Sequence, residues 1–200
     1  MMALPNLIIV TGLPAVGKSH FSRLFSRETG YPILEKDAYK VVLFDDVGFK
    51  SREEKVKLGI AAMDLMYSEA ARLLDLGISV ILDNNFESSS RPGLEKLTAE
   101  HPCNPVTVLF TGDPAIVYAR FVMRDMDPKR HRGHVLNTSY PETGTPEKYV
   151  PIGPDAFEKK FRERGVFDFT FGEKVITVDA TDPAAVDEEA LVSELKGYLA

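Results

Sequence analysis

The chain has 200 residues, 44% hydrophobic and 27% charged, with a net charge of -6. That fits one domain with a substantial core and excludes a disordered chain, and the acidic balance argues against holding long nucleic acid by its phosphates. The lone cysteine, Cys103, can form neither an internal disulfide nor a multi-cysteine zinc site, so a reducing, cytoplasmic setting is expected and Cys103 reads as inert.

The apolar run at residues 7–11 is bounded by turn residues and has no basic flank. It is too short to span a membrane and predicts a strand buried on both faces; no membrane association is expected. Gly12-Leu13-Pro14-Ala15-Val16-Gly17-Lys18-Ser19 follows, a full match to G-x-x-x-x-G-K-[ST]. The spacing suits a phosphate cradle. Glycines let the backbone N–H groups close on the anion, and the helix starting near Lys18 points its positive end there. Lys18 is expected on the β- and γ-phosphates of ATP, and the Ser19 hydroxyl on Mg²⁺. The helix runs over 18–28 and Gly30 ends it. His20, in its first turn, reads as local packing or capping and stands with the loop among the nucleotide-binding positions.

Residues 32–34 predict a second strand leading to Asp37 at the carboxyl edge of a sheet, where ligands bind in open α/β folds. A carboxylate there can orient an acceptor hydroxyl and take its proton. It can equally be the N-cap of a helix over 38–43. Glu35, further back in the strand, is the weaker base. A long helix is predicted over 53–76, with Met63, Leu65, Met66, Ala70, Leu73 and Leu74 at helical spacing and Gly77 after it. The third strand, 79–83, ends in Asp83-Asn84-Asn85. Asp83 is placed to hold Mg²⁺ through water, and Asn84 cannot act as a base, which favours transfer to an acceptor over hydrolysis.

A weaker helix over 91–100 and a fourth strand over 106–111 precede Asp113-Pro114, an N-cap with proline at the first helical position. That helix runs to about 124. Arg120 and Arg124 share its face, and Arg130 and Arg132 follow. Residues 118–134 hold five Lys/Arg against two Asp, a local excess of three in an acidic chain. A solvated helical face would look the same, but beside a phosphate loop guanidinium forks suit phosphoryl transfer. His131 and His134 lack an acidic or thiol partner at ligand spacing, so they read as substrate or lid contacts, not a metal site. Residues 127–154 hold five prolines and three glycines and predict a lid or substrate loop without regular structure, covering about 125–154. A short helix over 157–164, a fifth strand over 174–178 and an amphipathic helix over 187–199 close the chain. Alternating strands and helices predict a parallel α/β sheet covered on both faces, in a single domain over 1–200.

These pieces resemble the small P-loop kinases grouped with zeta toxins, chloramphenicol phosphotransferase and the kinase domain of polynucleotide kinases. The matching residues are Ile8 to Pro14 running into Gly17-Lys18-Ser19, then Glu35-Lys36-Asp37, Val80 to Phe86, and Thr111 to Pro114. Arg120, Arg124 and Arg130-His131-Arg132-Gly133-His134 complete the set. The resemblance implies a P-loop NTPase fold with a five-stranded parallel sheet in the order 2-3-1-4-5 and a lid. It makes Asp37 the acceptor-activating base, lays Arg120 against the adenine, and places Arg124 and Arg130 on the phosphates. It puts the 179–183 loop, with Thr181, beside the adenine. The expected activity is transfer of the γ-phosphate of ATP, with Mg²⁺, to a hydroxyl of a small-molecule substrate. The alternatives are a polynucleotide 5′-hydroxyl kinase and a toxin-like or regulatory ATP-binding protein with little turnover.

Overall fold

A computed structural model describes residues 3–199; Met1, Met2 and Ala200, which the expected 1–200 domain and the N-terminal run include, lie outside the described residues. The elements in chain order are β1 (Asn6–Gly12), α1 (Lys18–Thr29), β2 (Ile33–Glu35), α2 (Lys36–Asp46), α3 (Arg52–Asp75), β3 (Val80–Asp83) and α4 (Arg91–Glu100). They continue with β4 (Asn104–Thr111), α5 (Pro114–Met126), α6 (Arg132–Val135), α7 (Pro154–Glu163), β5 (Lys174–Asp179) and α8 (Glu188–Gly197). The five strands form one all-parallel sheet in the order β2-β3-β1-β4-β5, as expected.

Every residue of β1 is buried because the strand lies between two neighbours and two helical layers. Its period-2 alternation divides the core. Ile8 and Val10 pack with Phe21 and Phe25 of α1, Phe121 of α5, Phe157 and Phe161 of α7 and Leu195 of α8. Leu7 and Ile9 face Met66 and Ala70 of α3 and Leu94 of α4. Among the described residues, no helix is long and apolar enough to cross a membrane.

Of the boundaries that differ from expectation, three have a cause in the packing or capping. Strand β4 begins at Asn104, before the apolar run, because the Asn104 amide donates to the Asn6 side chain (2.6 Å) and the pair extends the ladder. Helix α2 begins at Lys36 with Glu35 as its N-cap residue, so Asp37 sits inside the first turn and is not the cap. That helix also continues to Asp46, because Phe44 enters a third small core with Phe49, Val135 and Leu136. Burying a phenylalanine of this kind contributes about 1.5–3 kcal/mol.

The same core overturns the expectation that 127–154 lacks regular structure. Helix α6 lies within it, and Pro154 already opens α7. Phe49 and Tyr140 exchange two backbone hydrogen bonds of 2.7 Å. Arg132 forks onto Glu142 (2.8 and 2.7 Å), and the Lys55 ammonium donates to the carbonyls of His134 and Leu136. Proline and glycine density predicts irregular backbone, and carries no information about these long-range anchors.

Candidate phosphoryl-transfer site

Strand β1 ends at Gly12, where an added Cβ would meet the Phe110 carbonyl oxygen at 1.9 Å, so only glycine allows β1 to pass β4 this closely. Ala15 (φ 61°) and Gly17 (φ 92°) take left-handed conformations and curl the loop Leu13, Pro14, Ala15, Val16 over the start of α1. Gly17 is the N-cap residue, its carbonyl takes the His20 and Phe21 N–H groups (3.0 and 3.1 Å), and no side chain among the described residues caps the helix, so its positive end is open to an anion. Lys18 is buried, its ammonium donating to the carbonyls of Gly12 (3.2 Å) and Leu13. Burial lowers its pKa to about 8, with Arg124 adding to the effect and Asp83 and Asp37 opposing it.

A cavity of about 210 Å³ opens here, lined by Ala15 to His20 together with Glu35, Asp37, Asp83, Asn84, Asn85 and Arg124. The sheet brings these together, since β1, β2 and β3 all end at this edge, with Val10 beside Asp83 and Glu35 beside Asp83. Asp83 is buried and its Oδ2 has no hydrogen-bond partner among the described residues. Burial pushes its pKa up, and Lys18, Ser19 and Ser22 pull the other way. An orphaned, buried carboxylate oxygen beside the Ser19 hydroxyl fits a hard cation that binds oxygen ligands. Glu35 is tied to Arg23 (3.0 Å); burial nevertheless raises its pKa.

Asp37 projects from the first turn of α2 with its side chain 52% exposed. Lys40 Nζ lies 3.2 Å away, Arg130 Nη2 3.3 Å and His134 Nδ1 3.9 Å. Burial alone would raise its pKa, yet the neighbouring cations win and hold the carboxylate well below its ordinary range. Lys40 and Arg130 supply that field, because burial drives the His134 pKa down to about 3 and leaves the ring neutral near pH 7. The carboxylate is therefore ionised and ready to accept a hydrogen bond from a hydroxyl.

The arginines that the sequence reading sets beside the phosphate loop are paired with carboxylates and not left repelling one another. Asp125, which that reading passed over, takes both Nε and Nη2 of Arg124 (2.9 and 2.7 Å) and lies 3.8 Å from Arg130 Nε. Its only signal in the sequence was an acid inside a basic run. Arg120 donates to the Ala180 carbonyl (2.8 Å), while its Nε and Nη1 are buried without a partner. Thr181 stands next to Ala180 and accepts from the Asp113 N–H (2.8 Å). Both thus lie where β4 and β5 end.

His131 is spent on local structure: Nε2 meets Asp45 (2.9 Å) and Nδ1 accepts from the Gly133 N–H. His20 pairs with Glu188 (2.9 Å), tying α1 to α8 at the rim of the phosphate cavity. Cys103 is half-buried, and burial lifts its thiol to about 11, which suits an unreactive residue.

The glycine loop on β1, the buried lysine behind it and the all-parallel 2-3-1-4-5 sheet define a P-loop NTPase of the kinase type. The family model described as AAA domain matches residues 7–138, and the chain belongs to that family, within the P-loop kinase group. L-seryl-tRNA(Sec) kinase of Methanococcus maripaludis is 30% identical over 158 residues, 74% of this chain and 57% of the relative. The chain thus spans somewhat over half the length of that relative. A crystal structure from Chloroflexus aurantiacus J-10-fl, of a protein provisionally termed a kinase, is 30% identical with a TM-score of 0.81, over 98% of this chain and 100% of that one. The Mycobacterium tuberculosis APS kinase CysC, solved with AMPPNP and APS, shares the fold at 18% identity and a TM-score of 0.55, covering 98% of each chain.

Proposed function

We propose that this protein moves the γ-phosphate of ATP to a hydroxyl group of a small-molecule acceptor, in the cytoplasm and with Mg²⁺. The observation carrying this reading is that Lys18, Asp83, Arg124 and an ionised Asp37 line one cavity. Lys18 leaves the Gly12 and Leu13 carbonyls for the β- and γ-phosphate oxygens. Leu13 to His20 and the flanking Gly12 wrap the phosphates, and Arg120 and Thr181 flank the adenine. Ser19 and Asp83 would hold Mg²⁺, which neutralises phosphate charge when bound. Arg124 and Arg130 exchange Asp125 and Asp37 for the transferring phosphoryl group. Asp37, released from Arg130, accepts the acceptor's proton. The acceptor oxygen bonds to the γ-phosphorus, the bond from that phosphorus to the β–γ bridging oxygen breaks, and ADP leaves.

A coupled assay of ADP release across alcohols, sugars, aminoglycosides, nucleosides, oligonucleotides and tRNA tests this. Release should rise at least about tenfold over the acceptor-free rate with at least one small hydroxyl compound. Release independent of any acceptor would identify a hydrolase or switch. Response only to tRNA or oligonucleotides would favour a nucleic-acid-linked acceptor, the reading that the name of the seryl-tRNA kinase relative supports.

The segment at about 125–154 acts in this proposal as a lid within a single domain. Its arginines trade carboxylates for phosphate, so a non-hydrolysable ATP analogue with Mg²⁺ should slow hydrogen exchange first between residues 124 and 134. Protection further along should wait for the acceptor. Equal exchange in all three states would reject the lid.

A further inference from the structure

A second cavity, about 770 Å³, is walled by α2, α3, α7 and the 148–152 stretch; Asp37 lines the phosphate cavity instead, but Lys36 and Lys40 on the same turn of α2, and His134, 3.9 Å from Asp37, line this one. Its floor is partly apolar, with Met63 and Tyr67 of α3. Its cations are the unusual feature. Lys36, Lys40, Arg52, Lys55, Lys148, Lys160 and Arg164 all line it, in a chain whose net charge is -6.

The acids of the cavity are Asp64, Glu87, Asp125 and Glu147, and three of them are already engaged. Glu87 is held by Arg164, Asp125 by Arg124 and Arg130, and Glu147 by Thr138. Lys55 is spent on the His134 and Leu136 carbonyls. Arg52 has only the Asn137 amide oxygen (3.2 Å), and Lys36 and Lys160 form no hydrogen bond or ion pair among the described residues. Burial and then repulsion from Lys40 lower the Lys36 pKa to about 8, while burial and repulsion from Arg164 and Arg52 lower that of Lys160. Seven cations line the cleft against four acids, and this excess of positive charge raises the free energy of the empty site, which a strong anion reverses.

We propose that the acceptor itself carries a phosphate group: its hydroxyl meets Asp37, and its phosphate is held by Lys36 and Lys160, with Arg52 at the rim. This rests on the phosphotransferase reading above and names the substrate class of the same site. The volume fits a compact molecule of nucleotide or sugar-phosphate size. The acidic exterior disfavours a long polyanion, so a free phosphorylated metabolite is the occupant, and the phosphorylated end of a polynucleotide is the other source of the same chemistry. After transfer the product carries its original phosphate and the new one.

The test is equilibrium binding to the protein saturated with a non-hydrolysable ATP analogue and Mg²⁺, so that the phosphate loop is filled. The probes are ribose 5-phosphate against ribose, glycerol phosphate against glycerol, nucleoside 5′-monophosphates against nucleosides, and a 5′-phosphorylated oligonucleotide against its unphosphorylated twin. At least one phosphorylated small molecule should bind tenfold or more tightly than its neutral twin. Lys36→Gln and Lys160→Gln should each erase most of that difference while leaving analogue affinity and the melting temperature in place. Twins that bind alike, no binding by any phosphorylated probe, or a preference insensitive to both variants would overturn the proposal. Tight binding of the oligonucleotide alone would overturn the small-molecule source. Acceptor-dependent ADP release with neutral compounds only would overturn the proposal and leave the kinase reading standing, whereas selective binding without turnover would remove the kinase reading and keep the anion site.

Discussion

Lys18→Ala abolishes measurable phosphoryl transfer while the protein stays folded. The ammonium is buried and rests on the Gly12 and Leu13 carbonyls, a position within the loop that ATP must fill. Removing one preorganised donor to a charge that grows in the transition state costs about two to three orders of magnitude in kcat. The cost to the fold is small, because the variant also removes a buried charge whose pKa is already lowered to about 8 by desolvation, and water can reach the freed carbonyls from the adjoining cavity. Two measurements check this. Acceptor-dependent ADP release should vanish, and the thermal shift that the wild type gains from an ATP analogue should shrink toward zero. A variant with wild-type turnover would defeat the assignment of the loop to nucleotide.

The second large effect is at Asp37. Asp37→Asn keeps the size of the side chain and, since Asp37 is inside the first turn of α2 and caps nothing, breaks no helix cap. It removes the charge that Lys40 and Arg130 hold at 3.2 and 3.3 Å. Pairs this exposed contribute little to stability, about 0–1 kcal/mol. Chemistry suffers far more, because an amide cannot take the hydroxyl proton, and loss of a general base costs about 10²–10⁴-fold in kcat. The KM for ATP should stay within a few-fold, since in the proposed reaction Asp37 acts on the acceptor hydroxyl and is not among the groups that hold the nucleotide. Should kcat survive instead, the base lies elsewhere, and Glu35, which lines the same cavity and has a raised pKa, becomes the next residue to replace.

The ion pair between Asp37 and Arg130 links these results to motion. As found, Arg130 occupies the carboxylate that the acceptor needs, and Asp125 occupies Arg124. In the proposed reaction these ion pairs are a resting arrangement in which the charges of Asp37, Arg130, Asp125 and Arg124 neutralise one another. On that proposal incoming phosphate would compete for both arginines, so that nucleotide binding and exposure of Asp37 become one event.

Much of this could be read along the chain, because its causes are local. Gly12 to Ser19 is one contiguous loop whose function depends on backbone conformations and N–H groups, and residue type encodes these directly. Period-2 burial in β1, the Asp113-Pro114 start of α5 and the helical spacing of Met66, Ala70 and Leu74 are short-range patterns of the same kind. They were enough to place the strands, and the family resemblance added their order and the proposed roles of Asp37, Asp83, Arg120 and Arg124.

What the fold had to supply is every relation between distant residues. Asp37 and Arg130 are 93 positions apart, and no periodicity brings them to 3.3 Å. The end of α2 was missed because Phe44 is held there by Phe49, Val135 and Leu136, a cluster assembled from two separate stretches. Lys36, Arg52 and Lys160 look like ordinary surface charges until three helices turn them into one cleft. Charge in a sequence has a sign but no neighbours; burial and distance, which set whether two charges attract, repel or wait for a ligand, exist only once the chain has closed on itself.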